Sequence, residues 1–223
     1  MNPPVRAAGC VLSLWLLGCQ TGVGDPASQR SAVAPTDQMA LEMEAEEERR
    51  LLPASDPERT QRAREIYLGG VRLLAGTPPQ VGQAIRELQQ ALAIDPRFYR
   101  AHFKLGICYY HEGHYELEIN EYKKCLAINP AYVPAWLNLG HAHLAKDELE
   151  QARAAYQEVL DREPNHAVAL YNKALVELDL NNSNESLRLF RSFVQIDGSG
   201  EMGQRARQYI QELEARLQGQ RQG

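Results

Sequence analysis

From about residue 63 onward, apolar residues recur every three to four positions, the spacing that lays one face of an α-helix against a core. The runs are short and separated by Gly, Asn or Pro, and the interruptions are themselves periodic. Pro96, Pro130 and Pro164 are 34 residues apart, Gly198 stands another 34 further on, and each follows Asp95, Asn129, Glu163 or Asp197. Leu88, Tyr122, Tyr156 and Phe190 stand eight residues before these positions, and Gly106, Gly140 and Ala174 stand 24 before three of them. A fixed period in this range means a stacked array of supersecondary units. The pattern predicts an all-α solenoid of helix–turn–helix repeats. Met202, Ala206, Tyr209, Ile210, Leu213 and Leu217 then continue at helical spacing between charged residues, which predicts a capping helix over 201–218.

The columns resemble the tetratricopeptide repeat. Trp136, Leu139, Gly140, His143, Ala152, Tyr156 and Pro164 carry the likeness best, followed by Leu105, Gly106, Tyr109, Gly113, Tyr115, Tyr122 and Pro130. The repeats are expected at 63–98, 99–132, 133–166 and 167–200, the first with about two extra residues in its turn, Gly76 to Gln80. The small residues are expected to let helices approach, the aromatic ones to fill the space between pairs, and the prolines to stop each second helix.

The resemblance implies a concave groove lined by the first helix of each repeat. Position 5 holds Tyr67, Phe103, Leu137 and Tyr171, and position 9 holds Val71, Ile107, His141 and Leu175. With Tyr110, these form the expected partner-binding surface, rimmed by Arg64, Arg100, Lys104, Asn138 and Asn172. Phe103→Glu and Tyr171→Glu are expected to abolish partner capture with little loss of folding. An apolar, aromatic groove suits an extended peptide or an amphipathic helix. The Lys/Asn clamp by which co-chaperone members of the family hold a terminal carboxylate is absent from these positions.

The amino end follows another logic. Arg6, the apolar segment Val11–Leu17, Gly18 and Cys19 have the three-part layout of a secretory signal. Leu16-Leu17-Gly18-Cys19 resembles the bacterial lipoprotein signal, which implies removal of residues 1–18 and acylation of Cys19. By the sorting rules of that class, Gln20 favours the outer membrane. Residues 19–62 are expected to be a tether with no aromatic residue from 20 to 65. Within it, 37–52 carries strong helix formers and five Glu among residues 41–48, with Pro53 as a stop.

Composition narrows the chemistry. The 223 residues are 44% hydrophobic and 24% charged with a net charge of −5, which argues against a nucleic-acid-binding module. No Gly-rich phosphate loop or nucleophile elbow occurs, and His111-Glu112-Gly113-His114 has the wrong spacing for a zinc helix. No catalytic residue, metal or cofactor is expected. Cys108 and Cys125 read either as a disulfide permitted outside the cytoplasm or as two small buried side chains.

The expectation is a lipid-anchored scaffold facing the periplasm, tied to the outer membrane through Cys19. Among families with this plan it resembles the pilotins, which implies a role in assembling secretins of type IV pili or secretion systems, the groove gripping a secretin segment. The alternative is an adaptor that recruits peptidoglycan hydrolases or proteases. A purely structural envelope protein and an enzyme stand behind both.

Overall fold

The computed structural model describes residues 57–222, and the leader, Cys19 and the acidic segment at 37–52 lie outside them. Among the described residues there are nine helices and no strand. They are α1 Pro57–Ala75, α2 Val81–Ile94, α3 Tyr99–His111, α4 Tyr115–Ile128, α5 Val133–Ala145, α6 Leu149–Arg162, α7 Ala167–Asp179, α8 Ser183–Asp197 and α9 Gly200–Gln222. Each helix packs chiefly against its predecessor and its successor in the chain, so the core is a row of contiguous clusters. That is the arrangement of a solenoid.

The turns explain the period. Gly113, Asp147 and Asn181 end the first helices of three repeats in the left-handed region, with φ of 73°, 61° and 62°. The next amide in each case reaches back to close the turn: His114 to Tyr109, Glu148 to His143 and Asn182 to Glu177, at 2.9, 2.9 and 2.8 Å. This is the helix stop that Gly supplies at least cost and that Asn or Asp can adopt. The second helices end differently. The amides of Asp95, Asn129 and Glu163 donate to Ala91, Cys125 and Val159, each at 2.8 Å, and the following proline prevents another turn.

Inside each pair, a large side chain of the second helix fills the space over a small residue of the first. A Cβ on Gly106 would collide with the Tyr122 ring, and one on Gly70 would lie 3.1 Å from Leu88 Cγ. Leu88, Tyr122, Tyr156 and Phe190 are at most 1% exposed. Phe190 also stacks on Tyr209 of α9 at 5.0 Å, so the last helix closes the last pair.

Two boundaries move. Residues 57–62, expected in the tether, are the first turns of α1: proline is well suited to the first turn of a helix, and Glu58 complements its positive end. The terminal helix runs from 200 to 222 rather than 201 to 218.

Candidate functional site

The first helices α1, α3, α5 and α7 carry every residue expected in the groove. Position 5 is less open than its spacing implies. Tyr67, Phe103 and Tyr171 are 3%, 7% and 1% exposed. The cause is a second aromatic set that sits just ahead of the following helix. The Phe98 ring packs on Tyr67 at 4.7 Å, and Tyr132 meets Phe103 edge-on at 5.1 Å. Tyr171 is enclosed by Phe190 and Phe193 at 5.6 and 5.1 Å. These side chains are a floor under the groove rather than its surface, and Leu175 is buried with them. The expectation that Phe103→Glu and Tyr171→Glu would spare folding is therefore corrected: either places a carboxylate in a packed core.

Half-buried positions remain along the same face: Val71, Ile107, Tyr110, Leu137 and His141. Ile107 rests against the cluster around Phe103, and Leu137 against the clusters of the third and fourth repeats. Above them stand Arg64, Lys104 and Asn138, also half-buried, with the Lys104 ammonium 5.8 Å from the centre of the Phe103 ring.

Two expected rim residues are structural. Arg100 is 3% exposed, its Nε donates to the Tyr99 hydroxyl at 3.0 Å, and its guanidinium lies 5.4 and 5.9 Å from the Tyr99 and Tyr132 rings. Asn172 is 7% exposed and its amide donates to His141 Nε2 at 2.8 Å. An acceptor Nε2 places the His141 proton on Nδ1 and keeps the ring neutral. Burial, helped by the nearby His166, pushes its pKa down to about 4.

Between these lies a polar link that spacing did not reveal. Glu118 and Asn138 both act on the buried Tyr122 hydroxyl, whose pKa burial pushes well up, where α4 packs against α5. Glu118 is 2% exposed, its Oε2 has no partner among the described residues, and burial pushes its pKa up to about 8. In the other repeats the matching positions hold Ala84, Ala152 and Ser186. Glu121, one turn on, behaves oppositely: burial alone would raise it, but bonds from His102 and Lys124, each 2.6 Å, hold it below the usual range. Tyr99 and Tyr132 belong to the site as well, and Phe98, Tyr132 and His166, 34 residues apart, form a column of their own.

Cys108 and Cys125 are buried and free, in different packing clusters. His141 and His143 diverge as their spacing implies, His143 Nδ1 being paired with Glu148 at 2.6 Å. Among the described residues no group of three or more His, Cys, Asp or Glu stands together as a metal site, and no helix is long and apolar enough to cross a membrane.

Stacked helix–turn–helix pairs of this kind define a protein-interaction scaffold. The chain belongs to the tetratricopeptide-repeat family, whose profile matches residues 80–133 and 137–201. No curated protein sequence matches it. Among solved structures it is similar to MamA, at 25% identity and a TM-score of 0.61 over 70% of this chain and 81% of that one. Pseudomonas aeruginosa pilF is similar at 20% identity, TM-score 0.60, over 73% of this chain and 72% of its own. A tetratricopeptide repeat protein of Parabacteroides merdae is 17% identical, with a TM-score of 0.63, covering 70% and 61%.

Proposed function

We propose that the protein is a non-catalytic assembly factor of the bacterial envelope, anchored by an acylated Cys19 and holding a protein partner in its concave groove in the manner of a pilotin. The observation that carries the binding reading is the half-buried apolar line Val71, Ile107, Leu137 beside Tyr110, His141, Lys104 and Asn138. Such a strip buries the apolar face of an amphipathic helix or an extended segment, while the polar edge sets its register. The anchor rests on the Leu16-Leu17-Gly18-Cys19 motif, and several acyl chains on one residue would give stable attachment where one would not. The likeness to pilF is one of fold. The choice of a secretin segment as partner rests on the lipoprotein-like leader in combination with the groove.

The test is co-purification of secretin subunits from envelope membranes with the wild-type chain and with Ile107→Glu/Leu137→Glu. Both side chains are half-buried at the edge of the core clusters rather than within them, so the variant is expected to keep its helical circular dichroism and lose the secretin. Retention of the secretin by the folded variant overturns the groove, and capture of hydrolases in its place overturns the pilotin-like reading. Mass spectrometry of the mature amino terminus decides the anchor: an unacylated Cys19 removes it.

A further inference from the structure

Two opposite charges stand at the two ends of the groove stripe. Positions 6, 9 and 13 of a repeat share one face of its first helix, because residues three and four apart are neighbours on a helix surface. In α3 that stripe is Lys104, Ile107 and His111, and in α7 it is Asn172, Leu175 and Asp179. Lys104 is half-buried, with its ammonium over the Phe103 ring and in no ion pair among the described residues. Asp179 is half-buried as well and has no hydrogen bond or ion pair among the described residues.

The surroundings leave both charges uncompensated. Asp147, in the turn after α5, is near enough for its charge to add to burial in raising the Asp179 pKa, so a second carboxylate stands there rather than a cation. Glu212 and Arg205 of α9 act on the neighbouring Tyr209 hydroxyl, and Arg205 is already held by Glu201 at 2.6 Å. One turn before Lys104 stands Arg100, another cation. Half-buried charges in such company gain most from an opposite charge that arrives with a ligand. Each repeat advances the stack by about one helix spacing, ~10 Å, and position 13 lies ~10 Å further along its helix than position 6. On that diagonal Lys104 and Asp179 are about 22 Å apart, the length of a four-turn helix.

We propose that the groove takes an amphipathic helix of about four turns in one direction only, with carboxylates of its first turn on Lys104, a cation of its last turn on Asp179, and its apolar stripe on Ile107 and Leu137. Acids in the first turn and bases in the last are also the charges that complement a helix's own dipole, so the segment that fits is one that folds readily. The reversed helix sets like charge against like at both ends. The inference rests on the groove being a binding surface, and adds what the partner carries and which way it runs.

Two fluorescent peptides of about 15 residues, each with leucine at every third or fourth position, are titrated against the full chain by anisotropy. One carries glutamates in its first turn and lysines in its last, and the other exchanges them. The first is expected to bind about tenfold more tightly at low salt, and the preference to shrink in about 1 M salt. In Lys104→Glu/Asp179→Lys the preference inverts, and comparing the same two peptides on both proteins cancels any difference in their own helicity. If that variant does not fold, crosslinking on the wild-type chain decides. A benzophenone at the amino end of the first peptide is expected to mark α3, and one at its carboxyl end α7 or α9. Equal affinities, a preference unmoved by charge reversal or salt, ends crosslinked the other way round, or no binding of either peptide overturns the proposal. Equal affinities that both vanish in Ile107→Glu/Leu137→Glu overturn the direction and leave the groove standing. A preference that follows the charges while Ile107→Glu/Leu137→Glu keeps its secretin refutes the pilotin-like reading alone.

Discussion

The Tyr156 ring occupies the space in which a side chain on Gly140 would stand: a Cβ there would lie 2.6 Å from Cε1 and 2.8 Å from Cδ1. Tyr156 is fully buried on α6, and Gly140 lies on the facing turn of α5. The glycine thus serves the ring of the next helix and not backbone flexibility, since it sits in ordinary helix. Gly140→Ala gains helix propensity of about 1 kcal/mol but must push a ring held on all sides. A net loss of about 1–3 kcal/mol is expected, read as a lower urea midpoint at constant slope. Tyr156→Phe, which removes a buried hydroxyl without a hydrogen-bond partner among the described residues, is expected to be neutral or stabilising by about 1 kcal/mol.

Glu118 makes the stability of the second repeat depend on pH. Its folded pKa of about 8 exceeds the ordinary 4.5, so the native state binds the extra proton between those values. Stability is then fully present below about pH 4.5 and is lost as pH rises towards 8. Glu118→Gln removes this dependence. Relative to wild type it is expected to be of similar stability at pH 4.5 and more stable by about 2–4 kcal/mol at pH 8, measured by denaturant unfolding across the range.

His141 acts in the opposite sense. Its folded pKa of about 4 lies below the ordinary 6.5, so the native state resists protonation. Stability is present above pH 6.5 and falls as pH drops towards 4, because burial and the nearby His166 disfavour the charged ring. The His141 resonance in an NMR titration is expected to stay neutral at pH 5.5. His141→Gln is expected to lose about 2–3 kcal/mol less than wild type between pH 6.5 and 4.

Burial pushes the Cys108 and Cys125 thiols up to about 12. Neither forms thiolate at neutral pH, and both are shielded. Alkylation of their peptides in the native protein at pH 8 is expected to be on the order of 100-fold slower than for free cysteine, and equal to it in denaturant. Recovery of a native peptide pair joined by a Cys108–Cys125 disulfide would overturn this assignment.

Much of the architecture was readable from spacing because it is local. Pro130 stops a helix wherever it lies, and Gly113 and Asn181 accept a left-handed turn through their own covalent structure. The site was less readable. Tyr171 and Leu137 occupy the same repeat position, yet Tyr171 is walled in by Phe190 and Phe193 while Leu137 stays only half-buried. Glu118 shows the same limit, since no rule of spacing says that a carboxyl will be buried with one oxygen unpartnered among the described residues.

The chain by itself determined the 34-residue period, the helix stops and the ring-over-small-residue pairs, since each follows from a residue's own geometry and its place in the repeat. Only the tertiary structure decided which groove positions a partner can reach. Exposure depends on rings brought together from different helices, as Phe98 is on Tyr67 and Tyr132 on Phe103, and the packed array closes over one apolar side chain while leaving its counterpart in the next repeat at the surface.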